Sequence, residues 1–196
     1  MTHTTIRRLS IEETLDVLFP LASYAFHPSP PFRDREGWDA VVRQRRGMAT
    51  FALFEDETAV ATVVGSPMTQ QVRGEVYDTS AIWGVTTHPT ARRKGYCRRL
   101  MARLLATQRD EGQPLSCLYP FRASFYERLG YVTFPLPGKA TFAPSALRSL
   151  LEKDLGGQVE LMLIADGYDT YRDYLHRLQG RTHGMGVFVH GEKERV

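Results

Sequence analysis

The residues best suited to chemistry in this chain of 196 residues lie in one short run, Arg92-Arg93-Lys94-Gly95-Tyr96-Cys97. Three basic side chains stand beside a glycine, where an apolar strand has ended and an amphipathic helix begins. Basic residues at a helix start oppose the positive end of its dipole, where an acidic residue is the ordinary choice. A bound anion removes that conflict. Backbone N–H groups of the loop and first helical turn point outward together, and the glycine allows close approach to the backbone. The run reads as a phosphate cradle. Its spacing, Arg92-x-x-Gly95-x-Cys97, is short, and the flanking strand and helix give it its specificity.

Those flanking elements can be read from the pattern. The strand before the loop covers Val76–Val85, ending Ile82-Trp83-Gly84-Val85, and Pro89 sits in the turn that follows. Strict alternation puts Glu75, Tyr77, Thr79, Ala81, Trp83 and Val85 on one face. The helix after the loop runs from Gly95 to about Glu111, with Leu100, Met101, Leu104 and Leu105 on one side. Upstream, Thr5–Arg8 predicts a strand. Ser10 and Glu13 predict a capping box opening a helix that buries Leu15, Leu18 and Leu21. A Pro-rich loop over 27–37 leads to a helix at Trp38–Arg46. Strands follow at Phe51–Glu55 and Val60–Gly65, joined by a turn at Asp56-Glu57, with another over parts of Met68–Arg73. Beyond the long helix come a strand at Leu115–Tyr119, a helix at Phe121–Leu129 closed by Gly130, and a strand at Tyr131–Phe134. An antiparallel meander followed by a crossover predicts a mixed α/β layer fold.

Pro135, Pro137 and Gly138 then break the pattern, which divides the chain into a domain over 1–136 and a second segment over 137–196. That segment predicts a helix at Pro144–Leu151, a strand at Val159–Ala165 and a helix at Tyr168–Leu178. It is too small to bury a core of its own. It must pack on the first domain, on another copy or on further sequence, so a homo-oligomer is one expected outcome.

Bulk properties narrow the function. With 42% hydrophobic and 24% charged residues the chain reads as a soluble globular protein. No apolar run approaches the ~20 residues that span a bilayer, and the opening MTHTTIRRLS lacks a secretion signal, so the expected site is the cytoplasm with no membrane partner. A net charge of +3 is too mild to indicate nucleic acid, and the aromatic and basic interleaving of a nucleic-acid groove is missing. An anionic small molecule suits the basic loop better. Cys97 and Cys117 lack metal-ligand spacing, and neither a metal nor a disulfide is expected.

The strand, basic loop and helix resemble motif A of the GNAT-superfamily N-acetyltransferases, whose pattern is Arg/Gln-x-x-Gly-x-Gly/Ala. Cys97 replaces the usual small residue at the last position and is small enough to fit. The resemblance implies that Arg92, Arg93, Lys94, Gly95, Tyr96 and Cys97 bind the pyrophosphate of acetyl-CoA. It implies that Val85 and Thr87 pair with the pantetheine arm. Leu118-Tyr119-Pro120 followed by Phe125-Tyr126-Glu127-Arg128-Leu129-Gly130-Tyr131 resembles the family's second hallmark. There Tyr126 would be the acid that protonates the departing thiolate, a task suited to a phenol that stays protonated at neutral pH. Phe125 and Tyr131 read as core aromatics.

The order Pro-x-x-Arg-Arg-x-Gly-Tyr, then Leu-Tyr-Pro and Phe-Tyr-Glu, resembles the enhanced-intracellular-survival (Eis-type) acetyltransferases more narrowly. Val159-Glu160-Leu161, Tyr171 and His183-Gly184-Met185 resemble the start of their second GNAT-like lobe. Implied are a GNAT fold, acetyl transfer without metal, and an amine acceptor such as an aminoglycoside or another polyamine. In those enzymes the C-terminal carboxylate is the base, but this chain stops early in the second lobe, so Val196 is not assigned that role. Glu75, Asp78, His88 and a water chain remain as candidate bases. Phe26, Trp38 and Trp83 are candidate linings of an acceptor cleft, and His27 is assigned nothing. An acyl-CoA-binding sensor or structural subunit is the alternative function.

Overall fold

Apolar runs of the first half pair in chain order. The computed structural model describes residues 3–26, 34–44, 47–134, 138–154 and 156–188. Strands β1 (Thr4–Arg8), β2 (Ala49–Glu55), β3 (Thr58–Val72) and β4 (Glu75–Thr87) are antiparallel neighbours, and β5 (Leu115–Cys117) lies parallel to β4. The helices are α1 (Ile11–Phe26), α2 (Arg35–Gln44), α3 (Tyr96–Asp110), α4 (Ala123–Glu127), α5 (Arg148–Leu151) and α6 (Ile164–Gln179). The last strand, β6 (Gly186–Phe188), returns to pair antiparallel with β3. This is the expected mixed, mostly antiparallel sheet flanked by helices.

Alternation along the central strands feeds two cores. Phe51, Leu53, Ala61 and Val63 turn to one face and pack with Leu100, Met101 and Leu104 of α3. Ala52 and Phe54 turn to the other with Leu9 and Val17, and Val64 packs there with Leu18 and Ala22 of α1. With both faces covered, β2 is buried continuously from Ala49 to Phe54 instead of alternating. The predicted capping box forms, with Glu13 N–H donating to Ser10 Oγ and Ser10 N–H to Glu13 Oε2.

Several boundaries differ from the pattern. The runs Val60–Gly65 and Met68–Arg73 belong to one long strand, β3. Pro67 does not break it, because β2 pairs no further than Gly65 and β6 begins at Met68, so the missing N–H falls in the gap between two partners. Helix α2 starts earlier than expected, inside the predicted loop, where Asp34 Oδ1 accepts from the Gly37 N–H. The basic pair Arg45 and Arg46, His27, Pro135, Pro137 and Val196 lie outside the described residues.

Two predicted strands, Tyr131–Phe134 and Val159–Ala165, are not strands. A strand needs a neighbour to bond, and among the described residues none pairs with either segment; α6 instead starts at Ile164. No second sheet forms among the described residues. The segment after 137 adds β6 to the first sheet, with Gln179 Nε2 donating to the Thr69 carbonyl at 3.0 Å.

Candidate active site

A bulge and a divergence shape the middle of the sheet. Strand β4 pairs with β5 only at Thr79–Leu115, Ser80–Ser116 and Ala81–Cys117, yet it continues to Thr87. Beyond Ala81, no described strand borders β4 on that side, so a row of backbone groups faces an opening between the two strands. On the other side, Val64 pairs with Trp83 and Thr62 with Thr86, leaving Gly84 and Val85 opposite Val63 alone. Gly84 has φ +57°, and a Cβ there would come within 2.9 Å of Val64 Cγ2. Only glycine meets both demands.

The bulge also overturns strict alternation. Val85 packs with Ile82, Ala61 and Val63 beneath α3, whereas Trp83 packs with Leu18 and Val64 beneath α1. The two residues lie on opposite faces, since the extra residue moves everything after it by one position. Thr87 closes β4 opposite Ala61.

After β4, a 3₁₀ turn at Pro89–Ala91 leads into the basic loop. Arg93 at φ +66° and Gly95 at φ +79° alternate with ordinary residues, a backbone path that turns successive N–H groups to one side. Among the described residues, the N–H groups of residues 93–98 have no hydrogen-bond partner. These are the orphan donors of the α3 N-terminus. Nothing lies within 4 Å of a Cβ built on Gly95, so the backbone is open to approach. Arg92 and Arg93 are exposed, and the Arg92 guanidinium sits over the Tyr24 ring at 5.9 Å.

The side chains of Lys94 and Tyr96 are already committed. Lys94 Nζ and Tyr96 OH both donate to Glu55 Oε1 at 2.6 Å. These bonds hold the Glu55 carboxyl below its ordinary range and push Lys94 and Tyr96 upward. From this pair the loop therefore presents backbone, and Glu55 pins it to the end of β2. Cys97, half-buried against the α3 core, has its thiol pushed up to about 11 by burial.

Tyr126 approaches from α4. The helix ends in a Schellman turn: Tyr131 N–H donates to the Tyr126 carbonyl and Gly130 N–H to that of Glu127, with Gly130 at φ +92°. That turn brings Tyr131 onto Tyr126, ring centroids 5.9 Å apart, while Tyr131 OH and Ser116 Oγ bond at 2.8 Å and tie the unit to β5. Phe121 and Phe125 pack on the remaining edges of the Tyr126 ring. Tyr126 is only 4% exposed, and its hydroxyl has no hydrogen-bond partner among the described residues. Burial, with Cys97 and Tyr131 alongside, pushes the phenol up to about 12. An anion-seeking helix start, an opening in the sheet and a protonated phenol thus meet around the first turn of α3.

Residues 5–134 match the sequence profile of the acetyltransferase (GNAT) domain. The chain belongs to that family. A curated relative of this GNAT domain, an uncharacterized N-acetyltransferase from Streptomyces griseus, is 34% identical over 113 residues, 58% of this chain and 24% of its own length. The chain thus spans about a quarter of that relative. A GCN5-related N-acetyltransferase from Kribbella flavida aligns with a TM-score of 0.57 at 24% identity, covering 66% of this chain and 33% of its own. AAC(6')-Iy, solved in complex with the bisubstrate analogue CoA-S-monomethyl-acetylneamine, aligns with a TM-score of 0.57 at 16% identity over 72% of this chain and all of its own. These solved structures share the GNAT fold.

The candidate bases fare unequally in this GNAT domain. Glu75 and Asp78 pair with Val72 and Thr69 near the far end of the β3–β4 hairpin. At about 3.3 Å per residue, Asp78 is roughly 20 Å along the strand from Gly84. His88 uses Nδ1 to cap the 3₁₀ turn, accepting from Thr90 N–H at 3.4 Å. Trp83 donates from Nε1 to Ser66 Oγ at 2.8 Å, and Trp38 packs on the same cluster beneath α1. Phe26 is exposed at the last position of α1. The residues missed from sequence are Glu55 and Thr62, each tied to the site by bonds to residues 22 to 41 positions away that no local spacing encodes.

Proposed function

We propose that this GNAT domain transfers the acetyl group of acetyl-CoA directly to a primary amine. The observation that carries the reading is the run of partnerless N–H groups at 93–98, set beside the β4–β5 opening and the Tyr126 phenol. Loop amides with Arg92, Arg93, Gly95 and Cys97 hold the pyrophosphate, and Lys94 and Tyr96 serve by their backbone. Val85 and Thr87 offer strand hydrogen bonds to the pantetheine amides. The amine nitrogen attacks the thioester carbon, the C–S bond breaks, and the sulfur takes the Tyr126 proton while the amine proton leaves to water. Burial raises the proton affinity of the phenol, which keeps Tyr126 protonated until the thiolate forms. The bulge peptide polarises the carbonyl.

Residues 1–136 carry this chemistry, and 137–196 are an extension. Phe26, Trp38 and Trp83 border the acceptor side. A polyamine or aminoglycoside acceptor of the Eis type is the finer form of this reading. The extension exposes Val159, Leu161, Met162, Leu163 and Ile164, which supports cover by a second copy. Light scattering on the chromatographed protein tests that cover, and a strict monomer at every concentration removes it.

Calorimetry with acetyl-CoA and with acetyl-pantetheine, which lacks the phosphates, tests the donor site. Acetyl-CoA should bind at least tenfold more tightly. Thiol release with a panel of mono- and polyamines then tests turnover. No binding at millimolar acetyl-CoA sinks the proposal, and binding without turnover on any amine favours the sensor.

A further inference from the structure

Thr62 lies inside the sheet at 0% exposure, opposite Thr86. Its hydroxyl donates to the Gly84 carbonyl at 2.9 Å, and its Oγ1 also meets Thr86 Oγ1. A hydroxyl carries one proton. Because that of Thr62 goes to Gly84, Thr86 must be the donor between the two threonines. The order is Thr86 O–H to Thr62 O–H to the Gly84 carbonyl, and each bond in such a chain strengthens the next.

The chain ends at the bulge. Thr62 stands on β3, so its bond draws the Gly84 carbonyl toward that strand. In a trans peptide the N–H points opposite to the C=O. The Val85 N–H is therefore turned away from β3, to the side on which β4 borders the opening. Electron density drawn toward the Gly84 oxygen also makes that N–H a stronger donor. Two buried hydroxyls would be costly in place of two methyls unless they were bonded, and here both are spent on one peptide.

Building on the proposed acetyl transfer, we infer that Thr62 and Thr86 are positioning residues. They form a buried hydroxyl relay that fixes the direction and donor strength of the Gly84–Val85 peptide toward the acyl carbonyl. Neither threonine touches substrate.

The test is isotope-edited infrared spectroscopy of acetyl-CoA labelled with ¹³C at the thioester carbonyl, bound to the protein. Binding constants and thiol release with the most reactive amine are measured in parallel. Thr62→Val should raise the carbonyl stretch above the wild-type value and lower kcat about tenfold, with the acetyl-CoA Kd held within about twofold. Thr62→Ser should restore both, and Thr86→Val should shift both in the same direction by less. A folded Thr62→Val with wild-type stretch and kcat overturns the relay. If Thr62→Val does not fold, Thr86→Val decides in the same way. Wild-type protein that fails to bind acetyl-CoA overturns the acetyl-transfer reading itself, an outcome separate from binding with an unshifted carbonyl in Thr62→Val.

Discussion

Tyr126 keeps its proton because its ring is enclosed by Phe121, Phe125 and Tyr131, and the phenolate would be formed beside them with little water. Tyr126→Phe should leave the acetyl-CoA Kd unchanged and lower kcat about a hundredfold, the usual scale for one proton donor. Equal loss in Kd and kcat would point to packing instead. Linkage gives a second readout. The folded pKa of about 12 exceeds the ordinary value of 10, so between these the unfolded chain releases a proton that the folded chain keeps. This group lowers stability as pH rises through that window, and Tyr126→Phe should remove its share of the slope in urea titrations. Cys97 behaves alike. Its thiol, pushed from 9 to about 11, holds about a hundredfold less thiolate at neutral pH, so iodoacetamide should label it about that much more slowly than a free thiol. Rapid labelling would show that the first turn of α3 opens. Tyr126 could be found from its own neighbours in sequence. Glu55 could not, since it acts on residues 39 and 41 positions away.

Elements tie these residues together through their ends. The α3 start, the end of β2 and the end of β4 converge because Glu55 bonds two loop side chains and Thr62 bonds the bulge. Periodicity revealed the strands and helices but not these joints. The alternation read from Glu75 to Val85 passed straight through the bulge, and only the register against β3 exposes the extra residue. The Schellman end of α4, in contrast, was legible in Gly130, because its φ of +92° is a demand that one residue type meets. Glu55→Gln probes the loop joint. Its carboxyl is held below the ordinary 4.5 in the folded chain, so its stabilisation is fully present above 4.5 and is lost as pH falls through the folded value. The wild type should therefore exceed Glu55→Gln in urea midpoint at pH 7, and the gap should close on acidification below 4.5. A gap independent of pH would mean that the carboxylate charge contributes nothing to the joint.

Over the whole molecule, the site and the extension sit at opposite ends of the β3–β4 hairpin. The β4–β5 opening and the bulge lie toward Thr87, while β6 attaches at Met68, Thr69 and Gln70, whose β4 partners are Thr79, Asp78 and Tyr77. The sequence pattern left the extension to pack on the first domain, on another copy or on further sequence, and it placed a strand at Val159–Ala165, where the apolar side chains instead stand exposed. The strand that pairs is short, and its register depends on side chains 110 positions from their partners. Chief among these is Gln179, only 2% exposed, whose Nε2 donates to the Thr69 carbonyl and hydroxyl at 3.0 Å. Gln179→Ala leaves those acceptors without their donor, a loss of about 1–3 kcal/mol. If β6 is a locally opening unit, that cost falls on its opening alone. Hydrogen exchange at Val187 should then accelerate by about ten- to a hundredfold, while amides of β2 and the acetyl-CoA affinity stay at wild-type values. Acceleration spread evenly into β2 would mean instead that extension and catalytic layer unfold as one, and that truncating the extension cannot leave a working site.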